Sequence, residues 1–368
     1  MHCLNRLLTC LLLLAVAAPA AAGTRSVTDS RGESVTIAEK VDHVICSGPG
    51  SLRLLTYLQA QDRIAAVDDI EGRRRQFDAR PYAIANPQFK EMPIFGQFRG
   101  FDNPELILSL ETQPDVILKT YGTMGHDPVE LHEKTGIPVV VLNYGDLGKL
   151  RPELFKSLRI MAEVVGRQDR AEAVIAFIEA QIADLEKRTA DVPDEGRPSV
   201  FVGGVAFKGP HGYQSTEPTY PPFAFVKTNN LAYDARMSGK ELRHADVAKE
   251  MIVQWNPDYL FLDLSTLQMG GQAGGLHELR TDPAYQTLTA VKEGKVYGLL
   301  PYNWYTQNFG CILANAWFIG KLLYPDRFAD VDPAAKADEI FTFLVGKPVF
   351  KDMNAMFGNL AYKRIPVK

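Results

Sequence analysis

The chain is poor in cysteine, with 4 among its 368 residues. Two of them, Cys3 and Cys10, lie in the N-terminal segment, so only Cys46 and Cys311 remain in the body of the chain. Two cysteines over this length make no disulfide framework, and the fold must therefore depend on a hydrophobic core. The sequence leaves open whether the two bond to each other, and simple burial of both is the interpretation that we favour.

Signatures of catalysis and of nucleic-acid binding are also missing. The sequence has no G-x-S-x-G elbow, no H-E-x-x-H and no cysteine cluster. A formal net charge of -4 without a basic tract argues against a nucleic-acid partner. The adjacent acids Asp68 and Asp69 fit ordinary salt bridging better than acid–base chemistry. We therefore expect no enzyme, and an exported metal-dependent enzyme stays as the alternative from another class.

Histidine is scarce and scattered. Beyond residue 22 the sequence has His43, His126, His132, His211, His244 and His277, without paired spacing. A bare zinc or manganese ion needs several histidine and carboxylate ligands that converge. The pattern therefore disfavours a bare-ion site.

The N-terminus has the pattern of a secretory signal peptide over residues 1–22. A short basic start precedes an apolar run from Leu7 to Ala18 and a small-residue cleavage site at 20–22. The run is shorter than the roughly 20 residues that span a bilayer. Cys10 lies ahead of the apolar core, which argues against a lipid anchor there. Removal of Arg6 with this segment changes the net charge from -4 to -5, and we expect a soluble periplasmic protein.

One sequence pattern occurs twice in the remaining chain. Glu105 opens a short apolar stretch that leads to Pro114-Asp115 and an apolar strand, and Glu250 opens a similar stretch that leads to Pro257-Asp258 and another apolar strand. This repetition predicts two similar α/β lobes in one chain. Two lobes enclose a cleft, and clefts hold ligands.

The order of elements predicts an α/β fold. Apolar strands alternate with helical stretches, which is typical of parallel sheets, and a helical period runs from Gln168 to Thr189. We predict two Rossmann-like lobes, each a mainly parallel sheet with flanking helices, joined by this long helix. The predicted boundaries are 23–166 for the N-terminal lobe, 167–190 for the linking helix and 191–368 for the C-terminal lobe. The stretch 72–103 is expected to be an irregular binding loop.

In this order, several motifs resemble one family of transport proteins. They are the loop Cys46–Gly50, Pro93–Gly96 ahead of Asn103–Glu105, the two Pro-Asp units, the lone helix and Lys249-Glu250. Over nearly the whole mature chain they resemble the periplasmic substrate-binding proteins of ABC importers for iron-siderophores, haem and vitamin B12, which have two lobes joined by a single helix. The resemblance implies capture of a metal chelate, an iron-siderophore first of all, and delivery to an ABC importer permease. Haem, a corrinoid and a nickel or cobalt chelate remain alternatives.

The resemblance also implies roles for particular residues. Glu105 and Glu250 match the acids that dock onto the permease. A monomer is expected, with no intrinsic cofactor and a ligand that contains Fe(III) or another transition metal. Small lobe movements follow from a stiff helical link.

Candidate ligand residues come from loops after the strands, where open α/β sheets bind their ligands. They are mostly aromatic or cationic, which suits a large anionic or aromatic chelate. His211 and Tyr213 are also candidates for completing the coordination of the chelated metal. The full set is Ser47, Arg99, Tyr121, Lys208, His211, Tyr213, Tyr302, Trp304 and Tyr305.

Overall fold

A computed structural model describes residues 23–73, 76–233 and 244–367. The predicted signal peptide and residues 74 and 75 of the Arg73–Arg75 run lie outside these ranges. The strands are β1 Thr24–Thr28, β2 Ser34–Ala38, β3 Val44–Ser47, β4 Ile64–Asp68, β5 Ile94–Gln97, β6 Phe101–Asp102, β7 Val116–Thr120, β8 Val139–Leu142, β9 Ser199–Gly203, β10 Ser215–Thr216, β11 Asn229–Asn230, β12 Ala245–Asp246, β13 Tyr259–Asp263 and β14 Val296–Leu299.

The helices alternate with these strands. They are α1 Ser51–Tyr57, α2 Asp69–Gly72, α3 Pro81–Ala85, α4 Pro104–Leu108, α5 Pro128–Thr135, α6 Arg151–Val165, α7 Gln168–Arg188, α8 Pro221–Phe225, α9 Lys249–Trp255, α10 Gly274–Thr281, α11 Thr289–Lys292, α12 Phe309–Leu323, α13 Pro333–Val345 and α14 Phe350–Met356. Short 3₁₀ turns join some of them.

The first lobe is built on a six-stranded sheet in the order β6-β5-β4-β3-β7-β8. All its pairings are parallel except β5 with β6 at one edge. The strands β3, β4, β7 and β8 are buried along their whole length, because helices cover both faces of a parallel sheet. The hairpin β1–β2 packs beside this sheet.

The second lobe repeats the plan with a smaller sheet. Four parallel strands lie in the order β11-β9-β13-β14. A short antiparallel ribbon, β10–β12, accompanies them. The fold class predicted from the sequence is thus confirmed: two lobes with mainly parallel sheets and one long helix between them.

The two Pro-Asp units do the same structural work in each lobe. In the first, the Asp115 carboxylate accepts hydrogen bonds from the backbone N–H groups of Asp42 and His43, at 2.8 and 2.9 Å. In the second, the Asp258 carboxylate accepts from the backbone N–H and the hydroxyl of Ser199, at 2.9 and 2.6 Å. Each aspartate thereby fastens the start of the neighbouring parallel strand, which explains why the pattern occurs twice.

The lobes share one hydrophobic core. A single cluster of buried residues runs from β1 to the C-terminal segment, while a smaller one covers the other face of the first sheet. α7 contributes a buried stripe to the shared cluster, and α13 and α14 reach back to pack on α1 and α3 of the first lobe. The linking helix is therefore only one of several connections between the lobes. Within the described ranges, no helix is long and apolar enough to cross a membrane.

The prediction of an irregular stretch at 72–103 is wrong in part. The segment contains α3 and also β5 and β6, which extend the sheet. Their signal is weak because β5 spans only four residues, with two adjacent buried positions between two exposed ones, and so lacks the alternation of a strand. The segment is held by a buried arginine, Arg80, which binds the carboxylates of Glu71 at 2.8 Å and Asp78 at 2.7 Å. No hydrophobic period reveals such an ionic core.

The structure answers the question about the cysteines. Cys46 and Cys311 are both buried and free. Burial raises the pKa of the Cys46 thiol to about 12, so this side chain behaves as a small apolar group.

Candidate functional site

A cleft of about 700 Å³ opens between the two lobes. Segments that follow β4, β5 and β7 form the wall of the first lobe, and those that follow β9, β13 and β14 form the wall of the second. Its volume lies in the range of sites for drug-sized ligands. The lining is aromatic and cationic, with Arg73, Phe98, Arg99, Phe101, Tyr121, Phe207, Lys208, Trp304 and Tyr305 among its residues and Glu217 as its acid.

Strained backbone concentrates around this cleft. In the described part of the chain, ten non-glycine residues have a positive φ, and five of them line the cleft: Arg99, Tyr121, Lys208, Tyr305 and Thr306. A left-handed conformation costs an L-residue roughly 1–2 kcal/mol. Such strain persists where the surrounding structure holds it, and it gathers at ligand-binding sites.

A loop from the second lobe is bound to the first lobe at the base of the cleft. We call residues 302–308 the crossing loop. Arg53, fully buried on α1, donates to the carbonyl oxygens of Gln307 at 2.9 Å and of Trp304 and Tyr305 at 3.1 Å. It also donates to the Tyr144 hydroxyl, which donates in turn to Gln307 at 2.8 Å. One guanidinium thus orders the backbone that presents Trp304 and Tyr305 to the cleft.

Two side-chain hydrogen bonds fix the crossing loop further. The Tyr305 hydroxyl donates to Asp68 at 2.5 Å and accepts from the backbone N–H of Arg99 at 3.1 Å. The hydroxyls of Tyr121 and Thr306 lie 2.8 Å apart. These bonds join residues of one lobe to residues of the other, so the protein's own contacts organise the site.

In each lobe, one strand of the sheet ends at an aspartate whose carboxyl group is buried. Asp68 is the last residue of β4 and Asp263 the last of β13. Burial raises the pKa of both carboxyl groups to about 7, and at Asp68 the neighbouring Glu71 carboxylate acts in the same direction. In the described ranges one oxygen of Asp263 has no hydrogen-bond partner. This is the state expected of a carboxyl that keeps its proton because it is desolvated.

Asp263 makes stability depend on pH. Its raised pKa means that the folded chain keeps a proton which the unfolded chain loses, so this group's contribution falls as pH rises from about 4 to about 7. At about 1.4 kcal/mol per pKa unit, the loss approaches ~4 kcal/mol. We expect Asp263→Asn, which is nearly isosteric and uncharged, to flatten this fall. Urea unfolding between pH 4 and pH 8 measures it, and parallel curves for the two proteins would contradict the assignment.

Five of the nine predicted ligand residues line the cleft: Arg99, Tyr121, Lys208, Trp304 and Tyr305. They come from four different loops, after β5, β7, β9 and β14. The structure thus brings together residues up to two hundred positions apart, as expected from the position of each at a strand's carboxyl end.

The structure places the other four away from the cleft lining. Ser47 is fully buried, and its hydroxyl accepts from Lys119 at 3.2 Å. Tyr213 is fully buried against Phe201 and Tyr285. Both face inwards because β3, and the segment beside β10, belong to the core. We correct these two assignments.

Tyr302 is the third correction. It is fully buried, and its hydroxyl donates to the Glu217 carboxylate, so it supports the crossing loop from below. His211 is half-buried, with one ring nitrogen 2.7 Å from the carbonyl oxygen of Phe207, and its role in ligand binding stays a prediction. Because the Tyr213 hydroxyl is enclosed in the core, it does not reach a chelated metal beside His211. Nor do three or more metal-ligating side chains cluster anywhere in residues 23–73, 76–233 and 244–367.

Sequence reasoning missed Arg53 and Asp68. Arg53 interrupts an apolar helix, Ser-Leu-Arg-Leu-Leu, on which all seven residues are buried. A charge within such a run is a usable signal, because a buried arginine must find acceptors. Asp68 was treated as part of a salt-bridging pair, whereas it ends a buried strand and accepts from Tyr305.

Glu105 and Glu250 occupy matching places on the two lobes. Each is exposed in the first turn of a short helix, α4 and α9. Asn103 caps α4 by accepting from the N–H groups of Glu105 and Leu106, at 3.0 and 3.1 Å. α9 has no side-chain cap, and its first residue, Lys249, is paired with Asp282 at 2.7 Å. The two acids therefore share a position in the first helical turn, although the helix starts are stabilised differently.

Two parallel-sheet lobes, a helical link and a preorganised cleft define a two-lobed solute-binding protein. The chain belongs to the periplasmic binding protein family, whose model matches residues 44–302. Its relatives include binding proteins of uptake and transport systems.

The relatives agree in fold and differ in what they bind. The molybdate-binding protein MolA of Haemophilus influenzae is 24% identical over 84% of this chain and 87% of its own. Its molybdate-bound structure has a TM-score of 0.66 at 19% identity, over 88% of this chain and 98% of that one. An iron-uptake system-binding protein of Bacillus subtilis is 21% identical over 79% and 89%. The petrobactin-binding protein YclQ of the same genus has a TM-score of 0.54 at 17% identity, over 83% and 99%.

Proposed function

We propose that the chain captures a metal chelate in the interlobe cleft and delivers it to the permease of an ABC importer. An iron-siderophore is the first candidate. The observation that most supports this proposal is the concentration of five left-handed residues around one aromatic and cationic cleft. A fold that holds this strain through its own hydrogen bonds has a preorganised site, and preorganisation limits the entropy cost of binding.

The proposed contact residues are Arg99, Tyr121, Lys208, Trp304 and Tyr305. The aromatic side chains offer flat area for an organic scaffold, and the cations offer hydrogen bonds to carboxylate or catecholate oxygens. The volume of the cleft supports an organic chelate. A bare tetrahedral oxyanion fills the space of a few waters, roughly 100 Å³ at about 30 Å³ each. The cleft volume of about 700 Å³ exceeds this several-fold.

Delivery is proposed to use Glu105 and Glu250, one on each lobe. Exposed acids at matching positions can orient the protein on a basic surface of the permease, since such charges steer and fix register more than they supply affinity. The protein is proposed to act in the periplasm as a soluble monomer after removal of residues 1–22.

A molybdate-type oxyanion is the second candidate. It is favoured by the similarity to MolA and by the cations of the cleft, which would also bind a small anion. Haem, a corrinoid or a nickel or cobalt chelate would occupy the cleft by the same mechanism as a siderophore.

Native mass spectrometry of protein purified from its own host's periplasm, with elemental analysis of the same sample, tests the proposal. The expected result is one organic molecule and one transition metal per chain. Molybdenum without an organic component would support the second candidate instead. A bare transition metal would overturn the assignment of the aromatic cleft, and turnover of an added chelate would restore the enzyme hypothesis.

A further inference from the structure

A three-residue pattern occurs once on each wall of the cleft. The first lobe has Phe98-Arg99-Gly100 after β5, and the second has Phe207-Lys208-Gly209 after β9. In both, the phenylalanine and the basic residue line the cleft. We call each of these a Phe-basic-Gly motif.

The two motifs have the same local geometry. Both basic residues are left-handed, with φ of 67° at Arg99 and 58° at Lys208. Each cation folds back over the phenyl ring that precedes it, 5.2 Å from the centroid for Arg99 and 5.3 Å for Lys208. The left-handed backbone at each basic residue directs its side chain back over the phenylalanine that precedes it. At Gly100 the backbone passes so close to the Met124 carbonyl that a Cβ would lie 2.7 Å from its oxygen.

Each ring is fixed from behind. Phe98 donates its backbone N–H to Asp69 at 2.8 Å, and its ring lies 6.2 Å from that of Tyr305. Phe207 stacks on His244 at 4.4 Å with an interplanar angle of 13°. Each cation therefore lies over a phenyl ring whose position is fixed. A ligand can bind the charged group with only a small entropy cost for ordering its side chain.

Their charges are not neutralised by the surrounding protein. Arg99 and Lys208 are exposed, and neither has an ion-pair partner among residues 23–73, 76–233 and 244–367. Arg73 provides the contrast. It lies over the same Phe98 ring, at 4.7 Å, but is paired with Asp69 at 2.5 Å. Among the described residues that line this wall, Arg99 is the cation whose charge a ligand can neutralise.

We propose that Arg99 and Lys208 form a two-sided charge clamp that selects polyanionic ligands, with anionic groups presented to both lobes. This inference rests on the proposed function and specifies its ligand class. Binding would neutralise one cation on each lobe and thereby hold the two walls around the ligand. A neutral chelate of the same size would fill the cleft without gaining these two interactions.

The test uses two ferric complexes of similar size and a bare oxyanion. The probes are a ferric tris-catecholate complex, which is anionic, a ferric tris-hydroxamate complex, which is neutral, and sodium molybdate. Quenching of intrinsic fluorescence gives their dissociation constants for the full chain. We expect the anionic ferric complex to bind at least about tenfold more tightly than the neutral one, a difference of about 1.4 kcal/mol.

Substitutions then assign the selectivity to the clamp. Arg99→Gln and Lys208→Gln are each expected to weaken binding of the tris-catecholate about tenfold, and the double variant about a hundredfold, with little change for the tris-hydroxamate. Lys156→Gln is the matched control: it removes an exposed cation on α6, outside the cleft lining, and should change affinity less than about threefold. All three positions of change are exposed, so folding is preserved and circular dichroism verifies it.

Different failures identify different errors. Equal affinity for the anionic and neutral ferric complexes, or a Lys156→Gln effect as large as that of Arg99→Gln, would overturn the clamp and leave chelate capture standing. Binding of molybdate with no binding of either ferric complex would overturn the chelate function itself, and the clamp with it.

Discussion

Reversing both exposed acids, in Glu105→Arg combined with Glu250→Arg, is expected to reduce uptake by roughly tenfold or more while ligand affinity stays unchanged. Both side chains are exposed on the outer ends of short helices, outside the cleft lining. A basic permease surface that attracts glutamates will repel arginines, and like charges across an interface cost several kcal/mol. Uptake of the radiolabelled ligand in a strain that lacks the native copy, together with the affinity of the purified variant, measures the two effects separately.

A matched control guards against an effect of net charge alone. Glu179→Arg combined with Glu186→Arg makes the same change in charge at exposed positions of α7, and uptake should remain near that of the unaltered protein. Single reversals at Glu105 and at Glu250 should each give an intermediate loss. If the double reversal at 105 and 250 transports normally, the docking assignment is wrong. If ligand affinity falls with uptake, the two acids serve the cleft instead.

Replacing Arg53 by methionine is expected to lower the free energy of unfolding by about 3–5 kcal/mol. The change removes a buried cation that donates to three carbonyl oxygens of the crossing loop. Hydrogen bonds from charged groups contribute about 1.5–3 kcal/mol each, and buried acceptors left without a donor carry their own penalty. Urea unfolding measures the loss.

The same variant should show a local effect at the crossing loop. We expect faster amide hydrogen exchange at residues 302–308, because opening of this loop no longer breaks the bonds to Arg53. Arg53→Lys is the comparison: it keeps the charge but cannot reach three carbonyls in the plane of a guanidinium, so it should recover less than half of the lost stability. A loss below about 1 kcal/mol in Arg53→Met, with unchanged exchange at 302–308, would show that the loop is ordered by packing alone.

The features that follow from local pattern could be predicted from the sequence. Continuous apolar runs gave strands such as β7 and β8, helical periodicity gave α7 to within a residue of its end, and the repeated Glu and Pro-Asp pattern indicated two lobes. These signals work because burial on both faces of a parallel sheet and along one face of a helix imposes them directly.

The features that depend on tertiary partners could not be predicted from the sequence. Tyr302 and Trp304 are two residues apart in an aromatic stretch, yet one is sealed beneath the cleft by Glu217 and the other lines it. The buried Arg80 looks like a surface residue until its carboxylate partners are known. The apolar helix around Arg53 indicates that this side chain is buried, but its acceptors lie up to 254 positions away and no local pattern identifies them. Strand β5 carries too short a pattern to be distinguished from a loop.

The crossing loop has a consequence for exchanging parts between relatives. By chain order residues 302–308 belong to the second lobe, but their carbonyls are held by Arg53 and Tyr144 of the first. A chimera that joins this first lobe to a relative's second lobe through the linking helix would place a foreign backbone over Arg53. Such a chimera needs three junctions rather than one: the linking helix and the two ends of residues 302–308, which must come from the same protein as the first lobe.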